Sequence, residues 1–399
     1  MNNEETYVDY LIIGGGIAAG NAVAGIREED KAGTIGIISA DVDKPYERPA
    51  LSKKLWTDDS FTEDQIFYNV SEEHQAALML ETEATSINRQ EHTVTTNKGD
   101  TVKYKKLLIV TGGIPKTIEG PEDDRVYAFR SYRDYKKLRN LSGDNQHIAV
   151  VGGSYIGTEL AANLALNNTR VTLIYPQSTL GNNRFPEEIA AEYEQTYKDH
   201  GIKMISGTRA ESYSKDGDEF VLALNNGETV RADSIILGLG VSPVLDLAKE
   251  AGLDVDNGVV VDEYLRTSDP DIYAAGDIAS YPDPILGRQR IEHVDHARNS
   301  GTAVGKVMAG INHPYDYTPY FYSMVFDISW KAIGTLDPSL DVLIDEVDGG
   351  KVVYYLKDDK PVGILTWKIE PDLDQVRHLL DNPPASSEHL VGAIRSQEN

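Results

Sequence analysis

Residues 7–41 read YVDYLIIGGGIAAGNAVAGIREEDKAGTIGIISAD, and this stretch decides the fold. Tyr7 to Ile13 is a short run of mostly β-branched and apolar residues that ends directly in three glycines. Such a run predicts a buried strand that enters a tight turn, and the small and apolar residues after the turn are typical of a helix. The chain is therefore expected to begin with a strand, turn and helix unit of an α/β fold.

The turn itself fits a nucleotide-binding fingerprint. Gly14 would allow the tight turn, Gly16 would let a pyrophosphate approach the backbone, and Ala19 would keep helix and strand close. The helix N-terminus would hold the phosphates through its free N–H groups. A second strand, Ile35 to Ser39, ends just before Asp41, which is expected to accept hydrogen bonds from a ribose.

Charge and length set the class of protein. The chain has 399 residues, enough for two or three domains, and its formal charge is −26, from 38 basic and 64 acidic residues. This balance argues against direct binding to nucleic acid or to anionic lipid. A solvated surface is the preferred explanation of the acidity, and any partner recognised by charge would have to be basic or meet a local basic patch.

Several features of the sequence exclude other classes. The start, MNNEETYVDY, lacks the basic and apolar regions of a secretory signal, and no apolar run reaches the ~20 residues of a membrane span. We therefore expect a soluble cytoplasmic protein. The chain has no cysteine, which excludes disulfides, thiolate metal ligands and dithiol redox chemistry.

A second strand, glycine and helix unit occupies residues 147–165, HIAVVGGSYIGTELAANLA. Its Gly152-x-Ser154-x-x-Gly157 departs from the fingerprint at the middle position, where the Cβ of serine restricts the approach of a phosphate. Two such units in one chain predict that two nucleotides bind.

The strand after the second unit leaves the nicotinamide preference open. It ends in Tyr175, where a site selective for NAD usually places a carboxylate for the ribose hydroxyls. The nearest cation that could bind a 2′-phosphate is Arg184. NADH and NADPH are therefore both retained as co-substrates.

Three further segments carry candidate site residues. Residues 44–56, KPYERPALSKKLW, support a cofactor-lining loop and an ordinary basic surface turn equally well. Residues 107–113, LLIVTGG, predict a buried strand that runs into glycines. Asp277 follows another predicted strand and is expected to precede a helix, where the segment alone favours an N-cap over a contact with sugar hydroxyls.

Together these motifs resemble a known superfamily. GGGIAAG, PYERPALSK, the TGG, GGSYIGTE and TSDPDIYAAGDIA occur in the order found in flavoproteins with two dinucleotide-binding domains. Within that superfamily the chain resembles the ferredoxin/rubredoxin reductase and apoptosis-inducing-factor-like branch. The resemblance implies an α/β fold with two Rossmann-like FAD/NAD(P)-binding domains and a small α/β C-terminal domain. The implied ranges are 1–118 and 238–315 for FAD, 119–237 for NAD(P)H, and 316–399 for the C-terminal domain.

The resemblance also implies site residues. Those expected at FAD are Gly14, Gly16, Ile17, Ala18, Ala19, Asp41, Arg48, Lys53, Thr111, Gly112, Asp277, Glu292, His293, Val294 and Tyr322. Those expected at the nicotinamide nucleotide are Gly152, Ser154, Tyr155, Ile156, Glu159, Tyr175 and Gly240. Lys53 and Glu159 are expected to form a catalytic pair near flavin N5.

Two local features qualify this picture. In YFYSMVFD, residues 320–327, Tyr322 replaces a tryptophan and Met324 an acid that relatives often carry, so the choice of electron acceptor is open. His293 and His296 stand one helical turn apart, but they lack further ligands and Asp295 falls on a different face. We expect ordinary packing or capping there and no metal.

The implied activity is that of an FAD-dependent NAD(P)H oxidoreductase. Hydride would pass from NAD(P)H to flavin N5, and electrons would leave to a ferredoxin- or rubredoxin-type protein or to a diffusible acceptor. The alternative is a flavoprotein whose reduction by NADH controls dimerisation or partner binding with little turnover. A homodimer is left open. The acidic surface disfavours acidic ferredoxins unless Arg288, Arg290 and Arg298 form a local docking patch.

Overall fold

The computed structural model describes residues 6–396. They form two compact units: unit 1 contains the residues up to Arg48, Thr62–Ile114 and Ser242–Pro319, and unit 2 contains Pro49–Phe61, Pro115–Val241 and the residues from Tyr320 onward. The four domain ranges expected from the sequence stay a prediction. Pro49–Phe61, which falls inside the predicted range 1–118, belongs to unit 2.

Strands make up much of both units. Their bounds are β1 (Thr6–Ile13), β2 (Ile35–Ile38), β3 (Ala76–Met79), β4 (Ala84–Asn88), β5 (Thr93–Thr96), β6 (Thr101–Ile109), β7 (Gly113–Pro115), β8 (Val126–Ala128), β9 (His147–Val151), β10 (Arg170–Ile174), β11 (Lys203–Ile205), β12 (Ala210–Asp216), β13 (Glu219–Leu224), β14 (Thr229–Ala232), β15 (Ser234–Leu237), β16 (Val241–Pro243), β17 (Val259–Val260), β18 (Ile272–Ala274), β19 (Ala279–Asp283), β20 (Gly287–Gln289), β21 (Phe321–Val325), β22 (Ile328–Gly334), β23 (Asp341–Val347), β24 (Gly350–Lys357) and β25 (Lys360–Trp367).

The helices are fewer. The α-helices are α1 (Ile17–Glu29), α2 (Lys54–Thr57), α3 (Tyr132–Leu141), α4 (Tyr155–Leu166), α5 (Glu187–Asp199), α6 (Asp246–Glu250), α7 (Val294–Met308) and α8 (Leu373–Asp381). Short 3-10 helices span Arg48–Ser52, Glu63–Ile66, Gly276–Ile278 and Ser387–Leu390. Among the helices of residues 6–396, none combines the length and the apolar character needed to cross a membrane.

Unit 1 is built on a sheet in the order β3-β2-β1-β6-β5-β4, with β18 also paired to β6. β1 pairs in parallel with β2 on one side and β6 on the other. A strand enclosed in this way reads as a continuous apolar run, which is what Leu11 and Ile12 provide, both fully buried. The order of the first four strands is that of a nucleotide-binding half, so the site is expected at their carboxyl ends.

Small residues let α1 and α7 approach closely within unit 1. A Cβ placed at Gly25 of α1 would lie 2.3 Å from the carbonyl oxygen of Thr302. One placed at Gly301 or Gly305 of α7 would lie 2.6 Å or 2.2 Å from a carbonyl oxygen of α1. Backbones this close leave no room for larger side chains. The contact fixes α7 beside the helix that follows the first glycine turn.

Unit 2 contains a parallel sheet in the order β11-β10-β9-β15-β8, which again has the order of a nucleotide-binding half. A three-stranded antiparallel sheet, β12-β13-β14, follows β11 in the chain. The residues after Tyr320 form a five-stranded antiparallel sheet, β21-β22-β25-β24-β23, with β21 at its edge. Trp330 and Trp367 face each other across β22 and β25, and both are buried.

Candidate cofactor and catalytic sites

The first glycine turn, in unit 1, has the shape that a bound phosphate requires. Gly14 has φ +118°, and a Cβ there would lie 2.2 Å from the carbonyl oxygen of Val110. Only glycine fits this position. A Cβ at Gly16 would meet nothing within 4 Å, so the turn has open space where the fingerprint expects the pyrophosphate.

The helix after this turn presents free donors. Gly16 is the N-cap of α1 and no side chain caps its first turn, whereas Ser131 caps α3 by accepting a hydrogen bond from the Asp134 amide. Uncapped N–H groups at a helix N-terminus favour an anion. Ile17 and Ala18 stand in this first turn, and Ala19 is fully buried. The residues present therefore fit a dinucleotide pyrophosphate.

Asp41 lies in a small polar cluster beyond β2. Its carboxylate accepts a hydrogen bond from the Tyr46 hydroxyl at 3.0 Å and lies 3.8 Å from the Arg48 guanidinium. Arg48 also donates to the Tyr46 hydroxyl and stacks over its ring. If Asp41 binds the adenosine ribose, Arg48 belongs to that end of the cofactor. Its predicted place near the flavin stays a prediction.

The carboxyl end of β6 lies against the same turn. A Cβ at Gly14 would be 3.1 Å from the Thr111 amide nitrogen, and Thr111 donates its hydroxyl to the Val244 carbonyl at 2.9 Å. Gly112 follows with φ +62°. Thr111 and Gly112 are thus placed where a cofactor in the turn would pass.

Asp277 lies near the first glycine turn, but it does not have the N-cap position expected from the sequence. It lies within the 3-10 helix Gly276–Ile278, whose N-cap is Ala275, so the N-cap role favoured for Asp277 is wrong. A longer helix does not follow, because β19 begins at Ala279. A Cβ at Gly276 would be 3.1 Å from the Cβ of Ala18, which places Asp277 next to the start of α1.

The start of α7 carries the remaining candidates of unit 1. Arg290 donates to the Asp277 carbonyl at 2.9 Å and to the Glu292 carboxylate at 2.6 Å, and so joins two segments expected at the flavin. His293 is the N-cap of α7 and accepts a hydrogen bond from the Asp295 amide, and Val294 is the first helical residue.

The spacing of His293 and His296 suggested one shared helical turn. The structure does not show this, because His293 is the N-cap and has an extended backbone. His296 is fully buried, stacks on Tyr281 and shares a hydrogen bond with the Tyr315 hydroxyl. Within residues 6–396 no group of three or more His, Asp or Glu side chains could hold a metal ion.

The second glycine turn, in unit 2, repeats the design of the first. Gly152 has φ +124°, and a Cβ there would lie 2.2 Å from the Gly238 carbonyl oxygen. A Cβ at Gly157 would lie 2.0 Å from the Gly152 carbonyl oxygen. Ser154 is the N-cap of α4 but caps no amide, since its hydroxyl donates to Gly238 at 3.3 Å. The serine therefore leaves the helix donors free for an anion.

Residues around this turn form one face of the second site. Tyr155 and Ile156 open α4, and the Tyr155 ring lies 5.6 Å from Trp330 and 4.7 Å from the Arg184 guanidinium. Burial raises the pKa of the Tyr155 phenol, although Arg184 opposes this shift. Gly240 has φ +81° and open space on its Cβ side.

Tyr175 stands beside the second glycine turn, where a Cβ placed at Gly153 would lie 2.8 Å from the Cβ of Tyr175. It is buried, and its hydroxyl donates to the Glu194 carboxylate at 2.7 Å. Burial alone would raise the pKa of Glu194, but the hydrogen bonds from Lys198, Tyr175 and the Leu180 amide outweigh it and lower the pKa. The Tyr175 hydroxyl is thus already bonded within the fold, and the predicted contact between this residue and the nucleotide stays a prediction.

Lys53 and Glu159 form the ion pair that was expected from their motifs. The Lys53 ammonium lies 2.8 Å from Glu159 Oε2, and the Glu159 side chain is only 1% exposed. The Ser52 hydroxyl donates to the same oxygen at 2.6 Å, and the Ser323 hydroxyl donates to Oε1 at 2.7 Å. Both segments belong to unit 2, so the pair is internal to that unit.

Tyr322 and Met324 lie on the edge strand β21. The Lys53 ammonium stands 5.4 Å from the centre of the Tyr322 ring, a cation–π geometry. Met324, which replaces an acid of the family pattern, is 61% exposed. The substitutions expected to matter for the acceptor thus change a ring beside the ion pair and an open surface position.

Three residues that make contacts at these sites, Ser52, Ser323 and Arg290, were missed from the sequence. Ser52 directly precedes Lys53 in RPALSK, and Ser323 stands in the serine position of the pattern at residues 320–327, so both motifs held a usable signal. Arg290 had none, because its two partners are defined only by the fold.

Comparisons with known proteins agree with this geometry. Residues 8–301 match the family described as pyridine nucleotide-disulphide oxidoreductase. A monodehydroascorbate reductase of Solanum lycopersicum is 32% identical, with 96% of each chain covered. Apoptosis-inducing factor 1, mitochondrial, of Dictyostelium discoideum is 30% identical over 93% of this chain and 78% of its own.

Solved structures point the same way. The reductase of a covalent putidaredoxin reductase-putidaredoxin complex superposes with a TM-score of 0.87 at 25% identity, covering 96% of this chain and 95% of the other. The expected branch of flavoprotein reductases is thereby confirmed, as are FAD and NAD(P)H. The chain has two glycine turns, and it has no cysteine for thiol chemistry. It belongs to the pyridine nucleotide-disulphide oxidoreductase family, as an FAD-dependent NAD(P)H oxidoreductase.

Proposed function

We propose that this oxidoreductase passes electrons from NAD(P)H to a small diffusible acceptor of the monodehydroascorbate class. The observation that carries the proposal is the similarity to a monodehydroascorbate reductase over 96% of both chains. Monodehydroascorbate, the radical left when ascorbate loses one electron, is a small anion. Bound FAD would supply the chemistry that links a two-electron hydride donor to such a one-electron acceptor.

The residues on β21 support a small acceptor. Tyr322 stands where ferredoxin-reductase relatives often carry a tryptophan, and the Lys53 ammonium lies 5.4 Å from its ring. Lys53 is 17% exposed, so its charge can reach a small anion at this surface. The phenol can add a hydrogen bond that a tryptophan would place differently.

The protein's own groups have separate tasks in this proposal. Helices α1 and α4, each of which follows a glycine turn and has no side-chain cap, hold the phosphates of the two nucleotides. The remaining predicted cofactor residues keep the roles that the resemblance gave them, including Lys53 and Glu159 beside the flavin. Arg290 is a positioning residue, because it holds the Asp277 backbone and the Glu292 carboxylate together.

The test is steady-state NADH and NADPH oxidation with different acceptors. Monodehydroascorbate is generated in the cuvette from ascorbate by ascorbate oxidase, and the blank omits that oxidase. The proposal predicts nucleotide oxidation that depends on both reagents and exceeds the rate with ferredoxin- or rubredoxin-type carriers. Faster reduction of a protein carrier would contradict it.

A protein acceptor is the second candidate, since the solved reductase with a TM-score of 0.87 is in covalent complex with putidaredoxin. The charge of −26 counts against an acidic carrier, because like charges slow encounter. The alternative of a signalling flavoprotein rests on the similarity to apoptosis-inducing factor. Slow turnover with every acceptor, together with a change in oligomer size on reduction, would favour it.

A further inference from the structure

The segment after β10 has none of the carboxylates that discriminate against NADPH. Residues 175–186 read YPQSTLGNNRFP and contain one charged residue, Arg184. The buried carboxylate that this segment contacts, that of Glu194, is already bonded to the Tyr175 hydroxyl, the Leu180 amide and the Lys198 ammonium. A 2′-phosphate at this end of the second site would therefore meet no carboxylate of this segment.

Gln177 is the polar side chain that faces the turn instead. Its Oε1 would lie 3.2 Å from a Cβ placed at Gly153, in the middle of the glycine turn. That oxygen is buried and has no hydrogen-bond partner within the described part of the chain. The Gly207 amide donates to the Gln177 carbonyl at 2.8 Å and fixes the backbone. A buried acceptor left without a partner is costly, so a hydrogen bond from a ligand at this turn would be stabilising.

Arg184 provides the cation of this region. Its guanidinium donates to the Gly153 carbonyl at 3.1 Å, and its Nε is buried without a partner among residues 6–396. The Arg184 guanidinium and the Gln177 amide thus both lie beside Gly153. Together they make the turn neutral to weakly positive, unlike a site with a strand-end carboxylate.

We propose that the Gln177 side chain hydrogen-bonds the adenosine ribose of the nicotinamide nucleotide, and that this site uses NADPH as well as NADH. A carboxamide can accept from a ribose hydroxyl through its oxygen or donate to a 2′-phosphate through its nitrogen. A carboxylate can only accept and would repel the phosphate. The proposal deepens the function above and rests on its oxidation of NAD(P)H.

The first test measures binding without turnover. Adenosine 5′-monophosphate and adenosine 2′,5′-bisphosphate are titrated calorimetrically into the oxidised holoenzyme. The wild type should bind both, and Gln177→Glu should weaken the bisphosphate by about tenfold or more relative to the monophosphate. Gln195→Glu, the same change at an exposed position of α5, is the control and should alter neither.

The second test measures kcat/KM for NADPH and NADH. The two wild-type values should lie within about tenfold of each other, and Gln177→Glu should lower only the NADPH value, by about tenfold or more. A larger wild-type difference, or an equal loss with both nucleotides, would overturn the proposal while leaving the oxidoreductase intact. Failure of both nucleotides to reduce the wild-type flavin would instead overturn the proposed function.

Discussion

The Glu159 carboxylate accepts hydrogen bonds from three side chains, which belong to two segments distant from it in the sequence. Lys53 and Ser52 bond one oxygen and Ser323 bonds the other, while the Asn163 amide donates to the Ser52 carbonyl at 2.6 Å. A buried carboxylate is stable only when its oxygens are bonded in this way. The arrangement fixes the Lys53 ammonium at a defined place beside the Tyr322 ring.

Glu159→Gln should destabilise the protein. The amide removes the charge that balances Lys53 and places an N–H donor against another donor, so the free energy of unfolding should fall by about 2–3 kcal/mol. Urea unfolding at fixed FAD concentration measures this. Glu188→Gln, whose carboxylate is 52% exposed and pairs with Lys351, should cost less than about 1 kcal/mol. Equal losses in the two variants would contradict the account of the buried cluster.

Lys53→Met tests the proposed catalytic place of this residue. The substitution keeps the apolar stem but removes the ammonium, so flavin reduction by NAD(P)H should slow by about tenfold or more. Anaerobic stopped-flow absorbance records that step directly. Lys54→Met is the matched control, because Lys54 is the next residue and its ammonium lies over the Phe61 ring instead. An unchanged rate of flavin reduction in Lys53→Met would contradict the proposed role of Lys53 in hydride transfer.

At the scale of elements, both glycine turns have positions required by sterics, and the first also has a position, Gly16, that we assign to the approach of a ligand. Gly14 is required by the backbone itself, while the space beside Gly16 is open. The sequence pattern does not separate these two reasons, because both positions appear simply as glycine. The structure does separate them, and this makes a paired test possible.

Gly14→Ala and Gly16→Ala should therefore fail differently. Alanine at position 14 clashes with the Val110 carbonyl and must adopt φ +118°, so the apoprotein should lose at least about 2 kcal/mol of stability. Alanine at position 16 should leave apoprotein stability within about 1 kcal/mol but fill the space beside the pyrophosphate and weaken FAD binding. Urea unfolding and quenching of FAD fluorescence measure the two effects. Normal FAD affinity in Gly16→Ala would contradict the assignment of the turn.

The first turn of α7 carries a buried base with a pH signature. Burial lowers the pKa of His296 to about 3, with a smaller opposing contribution from the Gly276 backbone, whereas an unfolded histidine titrates near ~6.5. The unfolded chain therefore binds the extra proton between these values, and stability falls as the pH drops through this window.

Between pH 7 and pH 5 this residue should cost about 2 kcal/mol of unfolding free energy. Urea unfolding at the two pH values should show that loss in the wild type and in His313→Gln, an exposed control, and a smaller loss in His296→Gln, because burial also lowers the pKa of His147. The same pH dependence in all three proteins would show that His296 is not the responsible group.

Across the whole molecule, motifs local in sequence were predictable and contacts made by the fold were not. The two strand, turn and helix units, from Thr6 and from His147, follow from apolar runs that end in glycine. The Lys53–Glu159 pair joins residues 106 positions apart, and only the resemblance to relatives placed them together. The buried hydrogen bond of the Tyr175 hydroxyl is to Glu194, a residue of α5 that no local pattern marks as its partner.

The measurement that tests the central claim is anaerobic mixing of the purified, FAD-loaded protein with NADH and, separately, with NADPH, followed by the visible flavin absorption. We predict that the yellow band bleaches rapidly with reduced nucleotide and returns when monodehydroascorbate is generated. A band that neither nucleotide bleaches, in protein shown to hold FAD, would contradict the claim that this chain carries electrons from a nicotinamide to a flavin.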